Sequence, residues 1–270
     1  MIRIAVCQNL AARDRWETLD RVERMFREAA ANGADVAVLP EMFLCPYSAR
    51  SFQAEAILGH EEVTARLASL ARQYHMYVVG GSIPEMEDYC CYNSCFVFDR
   101  GGRQIARHRK AHLYDADVLG MHVRESASFF PGNDVTVFDT EFGPMGVAVC
   151  YDLRFPEMFR AMAQRGARVI FVPAQFNLSS GPKHWDLLLR SRAVDYQVFL
   201  VGAQAARNPD VRYQCWGRSA VYDPAGVCLA QAGEGEEILY ADLDPALIEA
   251  ERALLPVARA LRRDLYCISE

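Results

Sequence analysis

Three reactive side chains stand where apolar runs end. Glu41 follows Val36-Ala37-Val38-Leu39-Pro40, Lys110 closes the segment Arg103 to Arg109, and Cys150 follows Gly146-Val147-Ala148-Val149. In open α/β sheets, ligands gather beyond the carboxyl ends of strands, so these are positions where chemistry is done. A thiol becomes a strong nucleophile when a base takes its proton or a positive charge lowers its pKa from about 8.5. Glu41 would supply the first and Lys110 the second. Each has a plainer reading when taken singly. An apolar-flanked cysteine is usually inert core, a glutamate can cap a helix, and a lysine can simply be solvated. Their joint placement at strand ends is what favours a reactive cysteine.

The elements that must position them alternate. Ile2 to Gln8 reads as a strand, and Asp14 to Asn32 carries Leu19, Val22, Met25, Phe26, Ala29 and Ala30 at helical spacing. Asp35 to Leu39 is a continuous apolar run, consistent with a strand buried on both faces. His60 to Tyr74 predicts a second helix, with Val63, Leu67 and Leu70 on one face. A strand at Tyr77 to Gly80 follows, then a hairpin turning at Asp99-Arg100-Gly101-Gly102. Residues 112–133 read as an irregular, inserted segment between two halves.

The second half repeats the order of the first. Ile4-Ala5-Val6-Cys7 matches Val147-Ala148-Val149-Cys150, and Gly33-Ala34-Asp35-Val36 with Pro40 matches Gly166-Ala167-Arg168-Val169 with Pro173. Val79-Gly80 matches Val201-Gly202. The hairpin matches best, Val97, Asp99, Gly102, Ile105 and Ala106 pairing with Val221, Asp223, Gly226, Leu229 and Ala230. Offsets of roughly 120 to 145 positions point to an internal duplication. On this alignment Cys7 occupies the place of Cys150, but Ala174 replaces Glu41, and Gln231-Ala232 stand where the first half has Arg107 onward to Lys110. One site should therefore be assembled from both halves, with Cys7 structural. The expectation is one α/β domain over 1–270, with half-repeats at about 1–110 and 135–242. The tail at 254–270 lies beyond the repeat and is available to pack on a partner chain.

Composition narrows the functional classes. The chain has 270 residues, 51% hydrophobic and 24% charged, which excludes disorder. Its net charge of −6, with no run of Lys or Arg, argues against nucleic-acid and anionic-membrane partners. No apolar stretch approaches the roughly 18 residues of a membrane span. Nine scattered cysteines and an N-terminus that reads as a strand predict reduced thiols in a cytoplasmic protein. In that setting the sequon Asn177-Leu178-Ser179 is chance. No papain-type block surrounds any cysteine. Cys90, Cys91 and Cys95 lack the CxxC spacing of a zinc set, and there is neither a GxGxxG nor a GxxxxGK[ST]. No metal and no organic cofactor is expected.

Three blocks carry a family resemblance: Leu39-Pro40-Glu41-Met42-Phe43, Arg109-Lys110-Ala111-His112-Leu113 and Cys150-Tyr151-Asp152-Leu153-Arg154-Phe155-Pro156-Glu157. They resemble, in order and spacing, the signature blocks of the nitrilase (carbon–nitrogen hydrolase) superfamily, over residues 2 to about 266. The resemblance implies a four-layer αββα sandwich and a catalytic Glu41–Lys110–Cys150 triad. Glu125, in Arg124-Glu125-Ser126, aligns with the family's second glutamate and is cast as an orienting group. Phe176-Asn177-Leu178-Ser179-Ser180-Gly181-Pro182-Lys183-His184-Trp185 and Arg190-Ser191-Arg192-Ala193 resemble the omega-amidase branch. His112 to Val118 and Arg263-Asp264-Leu265-Tyr266 do so as well. That branch hydrolyses the terminal amide of 2-oxoglutaramate and 2-oxosuccinamate. Residues 207–215 follow it only loosely, a departure that could alter substrate choice without touching the triad.

The chemistry so implied is amide hydrolysis through a cysteine thioester, on a small-molecule substrate. Lys110 and the backbone N–H of Tyr151 would hold the oxyanion. Phe176, Asn177 and His184 fall in the block that lines the substrate, although hydrogen bonding within the fold is the plainer role for His112 and His184. Arg154 and Lys183 are the cations available for a substrate carboxylate, with pairing of Arg154 to Glu157 the plainer alternative. A sibling amidase acting on deaminated glutathione or an N-carbamoyl compound would use the same triad, and a non-catalytic binding protein is the remaining class. The resemblance also implies at least a homodimer.

Overall fold

The computed structural model describes residues 1–12, 14–118, 121–262 and 264–265. Its first half runs β1 (Ile2–Gln8), α1 (Arg15–Ala31), β2 (Val36–Val38), α2 (Ala49–Leu58), α3 (Glu61–Tyr74), β3 (Tyr77–Val79), β4 (Ile83–Glu87), β5 (Cys90–Phe98) and β6 (Gln104–Arg109). A hairpin of β7 (Asp115–Val118) and β8 (Met121–Arg124) follows. The second half runs β9 (Thr136–Phe138), β10 (Met145–Val147), α4 (Pro156–Gln164), β11 (Val169–Ala174), α5 (Gly181–Tyr196), β12 (Phe199–Gln204), β13 (Ala220–Tyr222), β14 (Cys228–Gln231), β15 (Glu237–Leu243) and α6 (Ala246–Leu254).

The expected start of α1 is built as its sequence suggests. Asp14 is the N-cap, its carboxylate accepting from the N–H groups of Trp16 and Glu17. Alternate residues of the central strands then sort into two cores. Ala5, Cys7, Ala37, Val78 and Phe96 turn outward onto Leu19, Val22 and Phe26 of α1 and Val63, Leu67 and Leu70 of α3. Ile4, Val6, Val36, Val38, Val79 and Val97 turn inward, into one core with Val147, Phe171 and Val201 of the second sheet. Gly202 leaves room for Trp185 and Leu189 of α5 on that sheet's far side, where a Cβ would come within 2.5 Å of the Trp185 ring. The layers are thus helix, sheet, sheet, helix.

Apart from β4, which has no counterpart, the strands of the two sheets match one for one. The first is ordered β15-β1-β2-β3-β5, with β4 and β6 both paired to β5, and the second β9-β10-β11-β12-β13-β14. In each, three parallel strands are flanked by antiparallel ones, and both hairpins carry a register shift at the same place, Val97/Phe98 and Val221/Tyr222. The duplication seen in the sequence is therefore a pseudo-twofold of the fold.

Three details differ from the sequence reading. First, Ile4 pairs with Val36 as Met145 pairs with Val169, so Cys7 corresponds to Ala148 and not to Cys150. A slip of two residues keeps every side chain on the same face, so the hydrophobic pattern cannot reveal it. Second, residues 112–133 are irregular only in part: β7 and β8 pair antiparallel and a short turn at Glu125–Ala127 follows, while 112–114 and 128–133 form neither helix nor strand. Third, β15 completes the first sheet by pairing with β1, although in the chain it comes at the end of the second half. Of the tail, Arg263, Tyr266 and the residues beyond lie outside the described residues. Leu254 and Leu255 are exposed, and Gln197 at the end of α5 donates to the carbonyls of Glu251 and Leu255.

Gly81 sits one strand from the end of β2 with φ of 62°, and a Cβ there would stand 2.2 Å from the Pro40 carbonyl oxygen. Gly81→Ala is expected to cost about 1–3 kcal/mol through backbone strain and overpacking. The check is a lower urea midpoint at unchanged m-value.

Candidate active site

Glu41, Lys110, Glu125 and Cys150 meet between the sheets, at 0, 0, 2 and 6% exposure. Lys110 Nζ donates to Glu41 Oε1 at 2.8 Å and to Glu125 Oε1 at 2.9 Å. An ammonium has three donors, and Nζ also lies 2.8 Å from Glu125 Oε2, so both oxygens of that carboxylate are within its reach. Glu41 Oε1 also accepts from Asn93 Nδ2 at 2.9 Å. Among the described residues its Oε2 has no oxygen or nitrogen partner, and the Cys150 thiol is within interaction range of the carboxylate. Glu125 is held by the Tyr47 hydroxyl at 2.5 Å and the Tyr114 N–H at 2.6 Å.

Each position has a local cause. The Glu41 carbonyl accepts from Gln175 Nε2 at 2.7 Å, and the next residue, Met42, turns through φ of 46°. Lys110 is pinned at the end of β6 by its own N–H on the Asn93 carbonyl, at 2.8 Å. Cys150 has φ of 48°, a strained conformation for a side-chain-bearing residue, at the head of the turn Cys150–Arg154. The first amide this turn uses is that of Asp152, bonded to the Val149 carbonyl. The Tyr151 N–H precedes it and is one of the orphan donors that any helix start leaves.

Asp152, which the sequence reading passed over, clamps two of these loops together. Its buried carboxylate accepts from the Val149 N–H at 2.9 Å, His108 Nε2 at 3.0 Å, and both the N–H and Nδ1 of His112 at 2.9 and 2.7 Å. Burial alone would raise its pKa, but hydrogen bonds from His108, His112 and Val149 hold it well below the usual carboxylate range. The strand bearing Lys110 and the turn bearing Cys150 are thereby locked in register.

The electrostatics follow from burial and from two carboxylates facing one ammonium. Burial raises the Glu41 pKa and Glu125 adds to this, against the lowering effect of Lys110. For Lys110, burial disfavours the charge, yet Glu125 and Glu41 outweigh it and lift the pKa well above the usual value. Burial pushes the Cys150 thiol up, as does the charge of Glu41, while Lys110 and the Gln175 N–H offset only part. The charge of Lys110 thus offsets only part of what disfavours a thiolate at Cys150. The arrangement is a thiol beside a buried base.

The remaining candidates separate. Tyr151, Arg154 and Phe176 border a small chamber at Cys150 of about 10 Å³, with Tyr114 and Tyr213. Arg154 donates to His184 Nδ1 at 3.2 Å. Burial, together with the charges of Arg154 and Lys183, lowers the His184 pKa, which suits a neutral acceptor. Lys183 is exposed and does not border this chamber. Asn177 does not border it either: it is buried, with its Oδ1 accepting from Ser179 and Ser180. Asn93, Gln175, Tyr47 and Tyr114 were not singled out from the sequence, where nothing in a lone polar residue marks it as a partner of a distant carboxylate.

Residues 3–253 match the carbon–nitrogen hydrolase family. Omega-amidase NIT2 from Homo sapiens is 41% identical over 269 residues, which cover 98% of this chain and 97% of that protein. Among solved structures, Saccharomyces cerevisiae Nit3, of branch 10 of the nitrilase superfamily, superposes with a TM-score of 0.87 at 37% identity, covering 95% of this chain and 94% of its own. An amidase from Nesterenkonia sp. AN1, carrying acrylamide added at its active-site cysteine, superposes with a TM-score of 0.79 at 29% identity over 97% and 100% of the two chains.

If Glu41 is the base it must be ionised to act, and with its pKa raised kcat/KM should rise with pH through a value above the ordinary glutamate pKa of about 4.3. The high Lys110 pKa predicts no loss of its charge below about pH 10. Glu125→Gln removes the repulsion on Glu41, so the acid limb should move to lower pH. Activity should fall, but less than with Cys150→Ala.

Proposed function

The chain belongs to the carbon–nitrogen hydrolase family, and on that footing we propose that it removes the terminal amide of a short 2-oxo dicarboxylate mono-amide. The substrates so assigned are 2-oxoglutaramate and 2-oxosuccinamate, with ammonia as the product amine. That the chain is a hydrolase of non-peptide carbon–nitrogen bonds follows from the family. The narrower assignment is supported by one observation above others. Arg154 borders the Cys150 chamber with no carboxylate in ion-pair contact among the described residues, its bond to His184 being to a neutral acceptor. The bracing pair with Glu157 does not form there. A buried-side guanidinium left open is suited to a planar carboxylate.

The steps follow from the geometry. Glu41 takes the thiol proton as Cys150 sulfur bonds to the amide carbon, and the carbonyl becomes a tetrahedral oxyanion. Lys110, turning one N–H from Glu125 towards the substrate, and the Tyr151 N–H are the donors assigned to that oxygen. Losing one such donor typically costs roughly a hundred- to a thousandfold in rate. Collapse breaks the carbon–nitrogen bond as Glu41 returns the proton to the departing ammonia, leaving a thioester. Glu41 then deprotonates water, which adds to the thioester carbon, and the second collapse releases the acid and restores the thiol. One carboxylate serves as base, acid and base in turn.

The same reading makes the protein a cytoplasmic enzyme that works as a dimer or higher homo-oligomer. The oligomer is supported by exposed apolar residues on α5 and the β13–β14 hairpin, Leu187, Val194 and Val227. Such a patch on a protein surface marks an interaction site.

Ammonia release from 2-oxoglutaramate, abolished in Cys150→Ala, is the expected result. Arg154→Gln should raise KM tenfold or more while changing kcat less, a charge-assisted bond being worth about 1.5–3 kcal/mol. If 2-oxoglutaramate were inert and an N-carbamoyl compound instead released ammonia with CO2, the substrate assignment would fail while the amide chemistry stood.

A further inference from the structure

The segment 207–215, where the sequence departs from the omega-amidase branch, supplies none of the charged groups at Cys150. It does bring Tyr213 to the centre of the site. The Tyr213 ring stacks on Tyr47 with centroids 4.4 Å apart and planes 24° from parallel. Its hydroxyl donates to the Gln175 carbonyl at 2.7 Å, and Tyr47 is anchored in turn on Glu125. On one side of Tyr213 lies the chamber of about 10 Å³ at Cys150. On the other lies a vestibule of about 620 Å³, bounded by Tyr47, Phe52, Val123, Arg124 and Val211. Tyr213 borders both.

From this partition we propose that Tyr213 is a specificity-determining residue, which restricts the site to primary amides by closing the side of Cys150 that faces away from Arg154. Arg154 and Phe176 border the chamber but not the vestibule, whereas Glu125 and Tyr47 border the vestibule but not the chamber. A substrate whose carboxylate arm points to Arg154, as in the proposed function on which this direction rests, turns its amide nitrogen towards Tyr213. An unsubstituted NH2 needs no space beyond the ring, while an N-alkyl group needs the space the ring fills. The chamber holds little more than one water-sized probe, so some side chain must yield to any substrate. Tyr213 is held by a ring stack and a hydrogen bond, whereas Arg154 has one hydrogen bond, to His184, and lies over the Tyr151 and Phe176 rings at 5.6 and 5.4 Å. Its long, rotamer-rich side chain can swing where a stacked ring cannot.

The test reads the size limit without depending on the substrate's identity. Iodoacetamide and N-benzyliodoacetamide both alkylate a cysteine by displacing iodide, and peptide mapping separates Cys150 from Cys228, which is exposed and serves as the internal reference. In the wild type and in Tyr213→Phe, which keeps the ring and loses the bond to Gln175, Cys150 should discriminate against the benzyl reagent at least tenfold more than Cys228 does. Tyr213→Ala should lower that discrimination tenfold or more, the range that a filled or vacated apolar contact commands. Should Tyr213→Ala not fold, Tyr213→Val is read in the same way. Unchanged discrimination in a folded small-residue variant would overturn the proposal, as would Tyr213→Phe behaving like Tyr213→Ala. Failure of 2-oxoglutaramate as a substrate would leave these readings intact.

Discussion

One ammonium held without water between two carboxylates is the constraint on which this site depends. Removing an ion from water costs several kcal/mol even after the protein relaxes, and only close, well-directed partners offset it. Lys110 meets that condition through charge-assisted bonds to Glu41 and Glu125. One positive charge against two negative ones leaves an excess of negative charge, and this governs the neighbouring thiol. A thiolate at Cys150 would add a third anion to a buried cluster. That disfavours a resting thiolate, and in the proposed mechanism the proton passes to Glu41 only as the sulfur attacks.

Such a cluster tolerates little displacement, which explains how much of the fold is devoted to placing it. Glu41, Lys110 and Cys150 follow three strands of two sheets, and each is fixed through its backbone or its neighbours before its side chain is engaged. Gln175 reaches from the second sheet to the Glu41 carbonyl and also presents its N–H to the Cys150 sulfur. Asp152 joins the Cys150 turn to the residues on either side of Lys110. The duplicated half offers no second cluster, since Ala174 and Glu234 stand where the repeat would place a base and a lysine. The pseudo-twofold thus provides the packing twice and the chemistry once.

Much of this was legible in the sequence because it rests on local signals. Asp14 and Asn32 bracket α1, apolar spacing marks α3, and the Asp-x-x-Gly turns set the two hairpins in register. The triad was legible because three reactive residues end three apolar runs. What could not be read depends on contacts distant along the chain. The β7–β8 hairpin alternates, Ala116 pairing with Val123 and Val118 with Met121, but each run is only four residues long and too short to announce a strand. The two-residue slip of Cys7 against Cys150 preserves the inward and outward alternation, so only the ladder shows it. Asp152 reads as a loop acid until His108 and His112 are seen to converge on it. The partition made by Tyr47 and Tyr213 joins residues from opposite halves and has no motif at all.

The most direct test of the central claim is the ultraviolet absorbance of the Cys150 thiolate, taken as the difference between the wild type and Cys150→Ser across a pH series. If a buried excess of negative charge keeps the resting sulfur protonated, no thiolate signal from Cys150 should appear through the ordinary cysteine pKa of about 8.5. A thiolate already present at neutral pH would contradict this. It would mean that Lys110, and not Glu41, activates the nucleophile.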